Sequence, residues 1–288
     1  MDLVNTLVQG LLLGGLYALF AAGLSIMFGV MRMVNLAHGD LAVVAAYIVL
    51  AFLGGTIFPL WLVVLVTLPI FAVIGYALHR SIFSRSLKAG PLSTLLVTFG
   101  LSIIIQNGLL EAFSADTRSI DMGVLNTGSF RLNDSVSVSY VGLLTLLLAV
   151  GIIVGIQLFL KRSRTGRMMR AVSDDPEAAS LVGANSRHLY AVATALAFGT
   201  VALAGIMSGA RSSFEPSIGP AQLILAFEAV VIGGLGSLWG TLLGGTVLGL
   251  AQAFAAHIDP SSTLLAGHLV FLAVLAFRPQ GLIPQRAV

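Results

Sequence analysis

Apolar residues fill nine long runs of this chain, at about 4–30, 39–58, 60–79, 92–113, 139–160, 189–210, 221–235, 238–257 and 262–278, parted by short polar links. All but one approach the roughly 20 residues that a helix needs to cross about 30 Å of hydrocarbon. The exception, 221–235, reaches only about 21 Å at 1.5 Å per residue. Pro216 and Pro220 precede it and Gly233, Gly234 and Gly236 follow, so it reads as a broken or re-entrant helix packed inside protein. The pattern predicts an all-α integral membrane protein, a bundle of eight or nine transmembrane helices. The count is nine if 221–235 crosses and eight if it turns back.

The polar links assign sides. Lys161, Arg162, Arg164, Arg167 and Arg170 crowd one link, and short loops rich in Lys and Arg stay in the cytoplasm. Counting from there puts the 80–91 link, with Arg80, Arg85 and Lys88, inside as well. Arg32, Arg278 and Arg286 agree, whereas Asp116, Asp121 and Asp134 outnumber Arg118 and Arg131 in a 114–138 link that falls outside. The N-terminus is then external and the C-terminus cytoplasmic. Trp61 and Trp239 stand at span ends, as interfacial indoles do.

Composition narrows the class. Of 288 residues, 57% are hydrophobic and 9% charged, with a mean hydropathy of +1.00, far from soluble domains, in which about a quarter of residues are charged. Positions 1–288 therefore read as a single transmembrane domain with a cytoplasmic loop at 161–188, and no soluble catalytic domain fits. The net charge of +3 comes from basic residues beside apolar runs rather than interleaved with aromatics. They are topology signals and anionic-lipid contacts, not a nucleic-acid surface. The absence of cysteine excludes disulfides, thiolate metal sites and cysteine nucleophiles. The first run lacks a basic leader and is too long for a signal-peptide core, so it reads as a retained span.

Within the basic loop, Arg170-Ala-Val-Ser-Asp-Asp-Pro-Glu-Ala-Ala-Ser-Leu-Val-Gly183 is a polar, helix-forming island. Asp175 is a good N-cap acceptor, Pro176 suits the first helical position, and Glu177 complements the positive helix end. A short helix is predicted from Asp175 or Pro176 through Ala178 and Ala179 to about Gly183, where glycine can take the left-handed conformation.

Glu177-Ala178-Ala179 followed by Gly183 resembles the EAA-x-x-x-G loop of ATP-binding-cassette importer permeases, although the Ile-x-Leu-Pro ending of the longer consensus is missing. Asn35-Leu-Ala-His-Gly-Asp40 and Gly233-Gly-Leu-Gly-Ser-Leu-Trp-Gly-Thr-Leu-Leu-Gly-Gly245 resemble the branched-chain amino-acid permease family of LivH type. The three segments stand in the family's order, and the resemblance spans nearly the whole chain. It implies the permease subunit of a bacterial inner-membrane importer with no catalysis of its own. Two ATPase subunits would grip the coupling helix through Asp175, Pro176, Glu177, Ala178, Ala179 and Gly183. It further implies a second, non-identical permease, an external solute-binding protein, and a substrate among leucine-like or other amino acids, urea or short amides. Asn35, His38, Gly39, Asp40, Gly233, Gly234 and Gly236 are its family-motif positions. No G-x-x-x-x-G-K-[ST] segment exists, so this chain is expected to hold no cofactor, ATP being bound by its partners.

The remaining polar residues are few. Glu228 lies inside the short run, where an ionised side chain costs about 2.5–3.5 kcal/mol. It faces a pathway or subunit seam, or serves as a structural hydrogen-bonder. Asn107 and Glu111, one helical turn apart, extend with Gln106 a polar seam or pathway toward the outer surface. Asn35 and Asp40 are read as capping a turn at the inner end of the first two spans, and His268 as a helix–helix hydrogen-bonder. No HExxH or paired histidine exists, so no metal site is expected. Gly10/Gly14, Gly151/Gly155, Gly240/Gly244 and Gly245/Gly249 have the spacing that grooves a membrane helix, and about half of these pairs are expected to matter. An ion-coupled transporter or channel is the alternative reading, though it would want more buried ionisable groups than Glu228 and Glu111. An intramembrane enzyme would need a nucleophile–base pair or metal motif.

Overall fold

The computed structural model describes residues 3–55, 59–133 and 136–283. Asp134 and Arg286, two charges used in assigning sides, and the end of the second apolar run lie outside the described residues. The order is α1 (Leu3–Met31), α2 (His38–Gly55), α3 (Leu60–Leu78), α4 (Ser84–Ala89), α5 (Pro91–Phe113) and a one-turn α6 (Val124–Thr127). A hairpin of β1 (Ser129–Asn133) and β2 (Val136–Ser139) follows. Then come α7 (Tyr140–Arg162), α8 (Arg164–Asp174), α9 (Pro176–Leu181), α10 (Ser186–Arg211), α11 (Gly219–Gly233), α12 (Leu238–Ile258) and α13 (Thr263–Phe277).

Nine of these helices match the nine apolar runs, but among the described residues only seven helical segments are long and apolar enough to cross a membrane alone. The expected eight or nine is not reached, because α2 and α11 are shorter. Both begin inside the bundle rather than at its surface. His38 Nε2 lies 2.9 Å from the carbonyl of Phe20, eleven residues and so about 16 Å before the end of α1. Gly39, in the first turn of α2, abuts the backbone of Gly219, the first residue of α11, with no room for a methyl between them. From that meeting point α2 rises until Tyr47 stacks on Phe113, the last residue of α5, at 4.5 Å. From the same point α11 runs the other way to Gly233, where Leu282 and Ile283 donate to the carbonyls of Ile232 and Gly233 at 2.9 Å. Non-helical segments at 32–37 and 212–218 complete the two broken connections.

α1 sits at the centre, packed by α12, α10, α7 and α11, and its buried residues run from Asn5 to Met31. Small residues permit this. A Cβ at Gly14 would come 2.6 Å from the Cα of Thr246, and one at Gly10 would come 2.9 Å from the Cα of Leu250. Across the seam Gly245 and Gly249 meet the backbone of α1 from Gly10 to Ala18, and Gly240 and Gly244 abut Gly233 and Ala229 of α11. Backbones this close gain dispersion where lipid offers no hydrophobic force. Gly151 and Gly155 do not join in, since both face open space.

Contacts sort the helix ends into two sets. At one end, Ser173 of α8 donates to the carbonyl of Gly29 at 2.5 Å, and Arg187 donates to the carbonyl of Arg80 at 2.6 Å. At the other, Arg118 and Phe214 exchange backbone hydrogen bonds of 2.8 Å, and β2 is held to α1 by Gln9 donating to Ser137 at 2.8 Å.

Candidate functional site

The loop between α7 and α10 is built by successive caps. Ser163 caps α8 by accepting from Gly166 N at 2.8 Å. Met169 and Val172 then point into the bundle while Arg164, Arg167 and Arg170 are exposed. Asp175, in an extended conformation, ends α8 and caps α9, its Oδ1 accepting from Glu177 N at 2.9 Å and Ala178 N at 3.0 Å. Pro176 occupies the first helical position, where no N–H is needed. The helix closes at Leu181, earlier than Gly183. Gly183, at φ 84°, donates to the carbonyl of Ser180 at 3.0 Å, and Ala184 donates to that of Ala179 at 3.1 Å. This pair of bonds around a left-handed residue is the Schellman ending, and it needs glycine for its positive φ.

Within this six-residue rod, Ala179 is buried against its own chain while Glu177 and Ala178 are exposed. The two alanines of the Glu177-Ala178-Ala179 segment therefore face opposite ways, Ala178 outward and Ala179 inward. At the tip stand two apolar side chains that the sequence reading did not single out, Leu181 and Val182, 88% and 84% exposed. Their signal was the Leu-Val pair just before the closing glycine, at positions where no interior is left to receive them.

A second polar zone lies where α2 meets α11. The reading of Asp40 as a cap at the inner end of two spans is corrected. Because residues 32–37 turn back into the bundle before α2 begins, Asp40 is carried inward, fully buried, and its Oδ2 lies 2.5 Å from Ser102 Oγ of α5. Gln106 Nε2 reaches the same hydroxyl at 2.9 Å. Asn35 does cap its turn, accepting from Ala37 N at 3.1 Å. His38 Nδ1 and Asp40 Oδ1 are buried without hydrogen-bond partners.

Glu228 is buried on α11, and its Oε1 lies 2.5 Å from Nδ1 of His268 on α13, the one salt bridge among the described residues. The helix–helix role expected of His268 is present in that contact. Nearby, the Tyr17 hydroxyl donates to Gln252 Oε1, joining α1 to α12. Asn107 and Glu111 are not brought to Glu228. They are exposed on α5, where Asn107 Nδ2 donates to the Ile103 carbonyl of its own helix at 2.8 Å. Gly233 and Gly234 are buried at the end of α11, with Gly234 at φ 112° and Gly236 at φ 80° turning the chain into α12. No group of three or more His, Asp or Glu is placed to hold a metal ion among the described residues.

A bundle of apolar helices around a buried α1, with two broken helices meeting inside and a capped rod projecting from one end, is the design of a polytopic membrane protein. Comparison gives it a family: the chain belongs to the branched-chain amino acid transport system / permease component family, whose model matches residues 6–277. It is 33% identical over 296 residues to the high-affinity branched-chain amino acid transport system permease protein BraD of Pseudomonas aeruginosa, covering 97% of this chain and 95% of that one. The Escherichia coli K12 permease LivH is 27% identical over 294 residues, with the same shares covered. The LivM permease of E. coli K12 is 28% identical over 127 residues, 43% of this chain and 30% of that one. As a member of this family the chain is a membrane permease subunit rather than an enzyme.

Proposed function

We propose that this chain carries branched-chain or chemically related amino acids inward across a bacterial cytoplasmic membrane, driven by ATP that separate ATPase subunits hydrolyse. The observation that carries the reading is α9, whose Asp175 cap and Gly183 closure hold it as a defined rod with Leu181 and Val182 offered outward. A helix of six residues would not persist alone in water, so its double capping and the anchoring of Ala179 mark it as a held shape. In this reading the rod is a coupling helix. Residues 161–188 and the C-terminus face the cytoplasm, as the run of basic residues from Lys161 to Arg170 favours.

The similarity to BraD and LivH, permeases of high-affinity branched-chain amino acid transport systems, supports that substrate class. A second, non-identical permease is favoured by the partial match to LivM, whose system in E. coli also has LivH. An external solute-binding protein would deliver substrate to the hairpin end. Closure of the ATPases on α9 would bias the spans between two arrangements through contacts that differ between them. The junction of α2 and α11 is a natural place for that change, because two broken helices meet there over a buried carboxylate. Glu228 serves as the link between α11 and α13, while Asn107 and Glu111 supply a polar face toward the second permease. The test is purification of the tagged chain in mild detergent, with identification of what accompanies it, followed by substrate-stimulated ATP hydrolysis in liposomes. Recovery of an ATPase and a second permease supports the proposal. Undiminished uptake after deletion of the ATPase would overturn it.

A further inference from the structure

At the α8 end of the molecule a cavity of about 550 Å³ opens between the ends of α1 and α7, the helix α8 and the first turn of α12. We propose that it is a binding site for the phosphate headgroup of an anionic phospholipid. Lys161, Arg167 and Arg170 line it against a single carboxylate, Asp174. None of the three cations is in a salt bridge, since the one such bridge among the described residues is Glu228–His268. Arg167 does donate to the carbonyl of Arg162, at 2.8 Å. Ser25 also lines the cavity, and its fully buried Oγ has no hydrogen-bond partner. A buried hydroxyl without a partner costs free energy that a ligand's oxygen would recover.

The occupant follows from where the cavity lies. Trp239 lines it and is 45% exposed, an indole at the end of a membrane-crossing helix, which is the depth of lipid headgroups. The first turn of α12, capped by Ser237, adds the partial positive charge of a helix N-terminus. Basic recesses between transmembrane helices on the cytoplasmic side suit anionic headgroups, and the cytoplasmic leaflet is the anionic one. Placement in that leaflet rests on the sidedness proposed above; the binding itself does not.

The experiment is native mass spectrometry of the full chain with its co-purifying partners in detergent, titrated with phosphatidylglycerol, with phosphatidylcholine of the same acyl chains, and with inorganic phosphate. The expected result is a saturable site for phosphatidylglycerol that phosphatidylcholine fills at least roughly tenfold more weakly. With each nearby cation worth about a fivefold factor, Lys161→Gln with Arg170→Gln should weaken it roughly 10- to 30-fold. Arg85→Gln with Lys88→Gln, outside the cavity, should leave it unchanged. Should the first double variant fail to fold, Lys161→Gln alone reads the same effect at about fivefold. Equal binding of the two lipids, or equal loss in the two double variants, would overturn the proposal. So would displacement of the lipid by millimolar phosphate, which would make this a soluble-anion site, or loss of lipid binding whenever the ATPase is bound, which would make the occupant a protein. Sidedness is read separately: labelling of Lys161 by a membrane-impermeant reagent from outside intact cells would overturn the topology and leave the binding result standing.

Discussion

The carboxylate of Asp40 and the hydroxyl of Ser102 lie 2.5 Å apart in the interior, joining the first turn of α2 to the middle of α5. Little else holds α5, which packs in the bundle mainly on α2 and α4. Ser102→Ala should therefore destabilise the chain by about 1–3 kcal/mol, since it removes the hydroxyl that links Asp40 Oδ2 to Gln106 while Oδ1 already lacks a partner. Asp40→Leu should cost less than Asp40→Ala, because it fills the space as it removes the charge. Thermal aggregation of the purified chain would rank the three. An Asp40→Ala protein as stable as the parent would show that this contact carries no weight.

Glu228 and His268 should behave as a unit. His268→Leu leaves the buried Glu228 carboxyl without its hydrogen-bond partner and should cost about 1–3 kcal/mol, whereas Glu228→Leu should cost less, because the His268 side chain is 44% exposed. The double replacement should fall well short of their sum. Independent effects in a stability cycle would argue against the link between α11 and α13.

The glycine seam gives a graded prediction. Gly14→Val and Gly249→Val would drive methyl groups into the facing backbone of α12 and α1, costing roughly 3 kcal/mol or more and lowering yield in the membrane. Gly155→Ala, facing open space on α7, should gain up to about 1 kcal/mol from helix propensity. Equal tolerance at all three positions would place the helices farther apart than described.

Gly183→Val should distort the ending of α9, because a β-branched residue strongly resists a φ of 84°. Substrate-stimulated ATP hydrolysis and uptake should then lose their fixed ratio while the chain inserts normally. Leu181→Ser with Val182→Ser, by contrast, should leave the rod intact and weaken retention of the ATPase by roughly tenfold or more, given about 1.5–3 kcal/mol for each large apolar side chain that becomes fully buried. Retention unchanged in a pull-down would move the docking surface elsewhere.

Much of this arrangement was legible in the sequence because lipid demands it. The nine apolar runs became helices within a few residues, since a helix in hydrocarbon has few alternatives. Asp175 and Pro176 announced the start of α9, because caps and first-turn prolines are local chemistry. What stayed hidden depends on depth. Asp40 looks like a residue at the mouth of a span, and only the backward course of 32–37, which sets His38 beside the carbonyl of Phe20, carries it into the interior. Arg32, at φ 51°, marks where the chain turns, but an arginine in that conformation leaves no trace in composition. The partner of Glu228, forty residues away, was equally unreadable, since α13 has nearly uniform apolar faces.

The central position of α1 bears on how the protein is made. Among the described residues α1 is the most enclosed of the candidate spans, yet the glycine face it turns toward Thr246 has nothing to meet until α12 has been synthesised, more than two hundred residues later. Until then that face must be kept from wrong neighbours by lipid or by the insertion machinery. The seam can close only when α12 has entered the bilayer.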